Sequence, residues 1–248
     1  MKRTEREHKN TITVKCGKRL GRNFFARDGI TVAKDLLGKV LVHETELGTV
    51  RGIITEVESY MGEEDKGSHT YGGKRTERTE PMYHAGGTSY VYLIYGMYSC
   101  MNIAAMKPGI PQAVLLRSVI PADEESRLRM AALRLREIER RKRRKSGCRG
   151  EQEPKMKTTE FAEKVPAALD RHMADGPGKL CIAMGITRAD NDVDMTKSEA
   201  FYVTEGIEIN PEQIHAGKRI GIDYAEEAAD YLWRFRLDEE EIREGYFK

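Results

Sequence analysis

The chain is poor in cysteine and tryptophan, carries almost no net charge and contains no long apolar run, and each scarcity narrows what it can be. Its four cysteines, Cys16, Cys100, Cys148 and Cys181, stand far apart with no CxxC pair and no histidine at ligand spacing, which excludes a zinc ribbon and a dense disulfide framework. They read as reduced thiols. No stretch approaches the ~20 apolar residues that span a bilayer, and the basic, polar first nineteen residues lack the apolar core of a secretory signal. A soluble intracellular protein is therefore expected, cytoplasmic in a prokaryote and nuclear in a eukaryote, with no membrane partner. The 42 Lys+Arg against 40 Asp+Glu leave +2, so binding to nucleic acid would have to rely on local clusters of charge.

What remains suits an ordered domain: 248 residues can bury one large core, while 33% charged residues imply a wet surface. Residues 1–22 are basic and polar and read as a flexible arm. The spacing of Ile30, Val32, Ala33, Leu36 and Leu37 predicts a helix that Gly38 stops, followed by a strand over 39–43. Residues 48–60 predict a long strand with Glu56, Glu58 and Tyr60 on one face and Val57 on the other. The polar, glycine-rich stretch 61–87 reads as a long surface loop, and loops of that length are usually functional. Strands are expected at 89–93, 98–105, 113–119 and 201–203, with strand-like pieces at 219–222 and 233–237. Leu128, Ala131, Ala132, Leu135 and Ile138 mark an amphipathic helix over 123–139, opened by an acidic turn. Shorter helices are expected over 166–172 and from the Gly176 turn to Met184. The six-residue basic run at 140–145 begins an exposed insertion to about residue 159. The fold class is α+β: a single domain over 23–248, built on a mostly antiparallel curved β-sheet with peripheral helices.

Three clusters carry candidate chemistry: Glu56-Val-Glu-Ser-Tyr60 at a strand end, His69-Thr-Tyr-Gly-Gly73 in the loop, and Tyr90-Val-Tyr-Leu-Ile-Tyr-Gly-Met-Tyr98 after it. A carboxylate at a strand end, partly desolvated by Tyr60, is suited to deprotonate water, and spacing does not separate Glu56 from Glu58. Periodicity alone reads Tyr90 and Tyr92 as core, whereas Tyr95-Gly96 marks a turn that can project a phenol into solvent. An aromatic at a turn tip is what opening a duplex requires. Three classes stay open on these features: an enzyme, a nucleic-acid-binding module without chemistry, and a tyrosine-rich docking domain.

Thr55-Glu-Val-Glu-Ser-Tyr60, Asp65-Lys-Gly-Ser-His69, the 90–98 tyrosine segment, Cys100-Met-Asn-Ile103, Val114-Leu-Leu-Arg117 and Gly176-Pro-Gly-Lys-Leu180 occur in the order and near the spacings of one family. Over about residues 24–237, without the 140–159 insertion, the chain resembles the alkyladenine (3-methyladenine) DNA glycosylases. That resemblance implies a monofunctional glycosylase of base excision repair that flips alkylated or deaminated purines out of double-stranded DNA and hydrolyses the N-glycosidic bond. It implies Glu58 as the general base, with Arg117 as its partner. Tyr60, His69 and Tyr92 would form the base pocket, and Asn102 would reject normal guanine by clash. Tyr95 would be the intercalating wedge with Met97 beside it, while Lys74, Thr76 and Arg78 would touch the DNA backbone. The family needs no metal or cofactor, because a charged or acid-activated base already leaves readily. No lysine sits among the matched pocket residues, which argues against a Schiff-base lyase step. One wedge and one pocket suggest a monomer. A duplex with a single hypoxanthine or ethenoadenine, incubated with the protein and then treated with alkali, should show strand breaks; their absence on every alkylated or deaminated purine tested would exclude the enzyme.

Overall fold

The computed structural model describes residues 17–94, 96–145 and 165–246. Asp28 caps helix α2 (Gly29–Leu36), its carboxylate accepting from the Thr31 amide at 3.0 Å, and the short α1 (Arg22–Phe25) precedes it. Val32, Ala33 and Leu36 are buried, and Gly38 at φ +80° turns the chain into β1 (Val40–Thr45), as the periodicity predicts to within a residue. β1 pairs with β2 (Gly48–Tyr60), the 13-residue strand expected from its β-branched content. β3 (Ser89–Ile94), β4 (Tyr98–Ala105), β5 (Gln112–Pro121) and β6 (Phe201–Thr204) complete a path ordered β3-β4-β5-β2-β1-β6. β7 (His215–Gly217) and β8 (Arg234–Arg236) pair with each other. Every strand pairing among the described residues is antiparallel, and the sheet is curved.

One irregularity sets the position of the site. At its start β2 lies between β1 and β5, but at Glu56–Glu58 its neighbour on the β1 side is β8, and its register against β5 shifts between Ile54, Glu56 and Val57. Shifts of this kind bend a strand and re-aim its side chains. Val57 stays in the main core while the carboxylates on either side turn to the other face. That core joins the sheet to α2, to α3 (Glu124–Lys145) and to the helix Pro177–Met184, through residues such as Ile53, Leu116, Met130, Leu180 and Met184. Each such side chain contributes about 1.5–3 kcal/mol by leaving water. Two small clusters lie apart from it: Met82, Tyr90 and Ala113 with Tyr92 against them, and Ile222, Ala225 and Ala228 with Tyr60 against them.

The structure departs from the sequence expectations at four places. α3 runs on to Lys145, beyond the expected end at 139, so the basic run is a helix end. Arg140 and Arg141 pair with Glu137 one turn back, and the Arg141 guanidinium lies 4.3 Å above the Tyr98 ring, contacts that carry the helix past its last apolar position. The remainder of the proposed insertion, 146–159, lies outside the described residues, as do residues 1–16 of the arm. Its last part, 17–22, is tied down: the Gly17 and Leu20 amides donate to the Glu205 and Val203 carbonyls. Residues 219–222 form no strand, because Gly221 sits at φ +78° and the Ile220 amide binds a side chain instead of a ladder partner. The long loop 61–87 is a folded unit of 3-10 turns, Gly62–Glu64, Tyr71–Gly73 and Glu80–Tyr83, with Asp65, Thr70 and Thr79 buried.

Where this loop closes, the Gly86 amide donates to the Met106 carbonyl, and a Cβ on Gly86 would fall 2.4 Å from the Phe25 carbonyl oxygen and 2.8 Å from that of Met106. Neither oxygen can rotate away. Gly86→Ala should cost about 1–3 kcal/mol, read as a lower urea midpoint with unchanged m value.

Candidate active site

A cavity of about 570 Å³ opens between the two small clusters, lined among others by Tyr60, His69, Arg78, Tyr92, Asn102, Arg117 and Ile220. Behind its lining lies Glu58, whose side chain has no exposed surface. Three groups that line the cavity hold the carboxylate. The Tyr60 hydroxyl donates to Oε2 at 2.9 Å, the Ile220 amide donates to Oε1 at 2.8 Å, and Arg117 Nη1 stands 3.2 Å from Oε1. An amide and a guanidinium can only donate, so this geometry is built for the ionised form. Burial pushes the Glu58 pKa up, more than Arg117, the Ile220 amide and Tyr60 bring it down. Glu56 sits differently: its Oε1 is held by Arg117 Nε at 3.0 Å and Arg234 Nη1 at 3.1 Å. Two cations clamp Glu56, and it does not line the cavity.

The aromatic walls are fixed from behind. Tyr90, fully buried, meets Tyr92 at 5.2 Å between ring centroids, and its hydroxyl is 3.0 Å from His69 Nδ1. His69 stands edge-on to Tyr92 at 4.7 Å. Burial, helped by the nearby Arg78 and Lys74 charges, lowers the His69 pKa to about 4, so its imidazole is neutral at physiological pH. On the other side, the Arg219 guanidinium lies 4.8 Å from the Tyr60 ring centroid and 5.0 Å from that of Trp233. Arg219 and Asp65 form an ion pair with no exposed side-chain surface, at 2.5 and 2.7 Å, and Arg219 also donates to the Ser59 and Ala228 carbonyls. Asn102 is buried beside the cavity with its amide on the Tyr90 carbonyl at 3.2 Å.

Gly96 at φ +66° turns β3 into β4, and Met97 is 66% exposed at that tip, where it lines a separate surface cavity. Tyr95, the expected wedge, lies outside the described residues. Lys74, Thr76 and Arg78 are exposed on the rim loop, but they differ in what they do there. Thr76 is occupied in a turn with Thr79, Arg75 is locked to Glu80 and stacked on Tyr83, and Arg78 lies 4.9 Å above the Tyr92 ring. The structure thus brings Glu58, Tyr60, His69, Tyr92, Asn102 and Arg117 together, and Arg78, expected at the DNA backbone, also lines the cavity. The sequence reading assigned no role to Asp65, Arg219 or Ile220. The one signal for Arg219 is its place at the head of the short apolar piece Ile220-Gly-Ile222, where a buried guanidinium needs a partner.

Comparison with known proteins identifies the family to which the chain is similar. The family model described as methylpurine-DNA glycosylase matches residues 23–241. A protein of Clostridium acetobutylicum is 44% identical over 219 residues, covering 88% of this chain and 94% of its own length. One from Clostridium perfringens (strain SM101 / Type A) is 42% identical over 222 residues, with 88% and 95% covered. One from Desulfitobacterium hafniense (strain Y51) is 43% identical over 222 residues, with 90% and 96% covered. All three are provisionally named 3-methyladenine DNA glycosylases.

The His69 environment has a measurable consequence. The folded ring takes its proton only near pH 4 whereas the unfolded one does so near 6.5, so the unfolded chain binds more protons between those values and His69 makes stability fall as pH drops through that window. NMR titration should give His69 ring signals with a midpoint near 4; a midpoint near 6.5 would contradict the burial.

Proposed function

The chain belongs to the methylpurine-DNA glycosylase family, and from that premise we propose that it excises alkylated purines from double-stranded DNA by direct attack of water. The observation that carries this reading is the setting of Glu58: fully buried, met by three donors that suit its ionised form, and placed behind an aromatic-walled cavity with room for a flipped nucleotide. Oε1 is occupied by two donors and Oε2 by one, so a lone pair of Oε2 remains for a water proton. In the step we infer, the water oxygen bonds to the sugar C1′ as the C1′–N bond breaks. The bonding pair goes to the purine ring, which neutralises the positive charge of a base such as 7-methylguanine, and the water proton passes to Glu58. Arg117 keeps Glu58 ionised and, at the cavity wall, can also face the phosphate of the flipped nucleotide.

Tyr60 and Tyr92 supply phenol faces for an electron-poor purine, with 3-methyladenine and 7-methylguanine as the first candidates and hypoxanthine and ethenoadenine as neutral ones. Asn102 is held by the Tyr90 carbonyl, a rigid amide suited to exclude a base by clash. Met97, exposed on its turn, and Tyr95 beside it would fill the space left in the stack. Cutting would be confined to the base–sugar bond, and no lysine is among the described residues that line the cavity. The protein would work as a monomer in the compartment that holds the DNA. No helix among the described residues is long and apolar enough to cross a membrane.

Glu58→Gln should lower single-turnover release of 7-methylguanine by about 10²–10⁴-fold while duplex binding stays within a factor of a few. Wild-type release by this variant would remove Glu58 as the base.

A further inference from the structure

One member of the cavity lining is not explained by water activation or by a fixed aromatic clamp. Arg78 is an exposed loop residue, yet its guanidinium lies 4.9 Å above Tyr92, a ring that this reading gives to the base, and it stands beside the Tyr90 hydroxyl. A purine that stacks on Tyr92 competes with it. An N-alkylated purine with a fixed positive charge would also meet a like charge if the guanidinium stayed. Arg78 is held there by neutral groups alone, the Tyr92 ring and a hydrogen bond to the Tyr90 hydroxyl, and no carboxylate among the described residues is recorded in an ion pair with it, whereas Arg75 three residues earlier is bound to Glu80 through two nitrogens. The loop behind it is fixed: Thr79 is buried and closes a turn on Thr76, so the side chain can move without the backbone.

The geometry points to Arg78 as a specificity-determining gate, a cation that occupies the Tyr92 face in the free protein and swings out to a DNA phosphate when the damaged purine enters. In the closed state the guanidinium mimics the charge of the lesion and shields the aromatic face from water. A normal base, neutral and still stacked in the duplex, gains less from Tyr92 than a cationic one and displaces the guanidinium less readily. The exchange then couples recognition of the base to a backbone contact, because the charge that leaves the pocket is the one that meets the phosphate.

This inference rests on the base-pocket reading above, and the test separates the two. Free 3-methyladenine, titrated into labelled protein while the His69 ring signals are followed, should bind Arg78→Ala roughly two- to fivefold more tightly than wild type, because its competitor for Tyr92 is gone. The same variant should bind duplex more weakly, with the slope of log affinity against log salt reduced by about one. Unchanged or weaker binding of the free base by Arg78→Ala, with 7-methylguanine release by the wild type intact, would overturn the gate: the residue would then be a plain phosphate contact or a permanent wall. Failure of the wild type to release any alkylated purine would instead overturn the pocket reading on which the gate rests.

Discussion

A carboxylate with no exposed surface is the constraint around which this site is arranged. Burying Glu58 without partners would drive it to the neutral form, so the fold brings three donors to it from three places: Tyr60 from its own strand, Arg117 from β5 and the Ile220 amide from the segment after β7. Each donor also serves the cavity. Tyr60, Arg117 and Ile220 all line it. The requirement to keep one buried charge satisfied therefore fixes three elements of a pocket at once, and it does so before any substrate arrives.

Two of those donors, Tyr60 and the Ile220 amide, are themselves positioned by the Asp65–Arg219 pair. Asp65 accepts from the Met61 and Gly67 amides and from Arg219, so it ties the start of the 61–87 loop to the segment that carries Ile220. Arg219 spans the Asp65 carboxylate, two backbone carbonyls and the rings of Tyr60 and Trp233. Such a pair contributes little net stability over an apolar replacement, but losing one partner costs about 3–5 kcal/mol because the other charge is left buried. Its value is positional: it orients Tyr60 from behind and places the Ile220 amide on Glu58.

Elements with short-range causes were legible in the sequence. The Gly38 stop, the 48–60 strand and the β3–β4 turn follow from glycine chemistry and alternation, and the structure keeps them to within a few residues. The spacing put Glu56 and Glu58 together but could not rank them, because the difference lies in partners remote in sequence: Arg234 clamps Glu56, whereas Ile220 and Tyr60 complete Glu58. Likewise 219–222 read as strand because Ile220 and Ile222 alternate, and nothing local reveals that Arg219 must reach a carboxylate 154 positions away. The helical course of 140–145 has a similar cause, since the helix is prolonged by Glu137 and by the Tyr98 ring rather than by apolar periodicity.

The most direct test of the account is the pH dependence of single-turnover 7-methylguanine release, because that base stays cationic below neutrality, across the range in which a glutamate titrates, and needs no acid to leave. If a buried Glu58 must be ionised to take the water proton, the rate should rise with pH through one ionisation whose midpoint lies above the ordinary glutamate value of 4.5, then level off toward neutrality. A rate that is flat or falls from pH 4 to 8 would contradict a carboxylate base at this position.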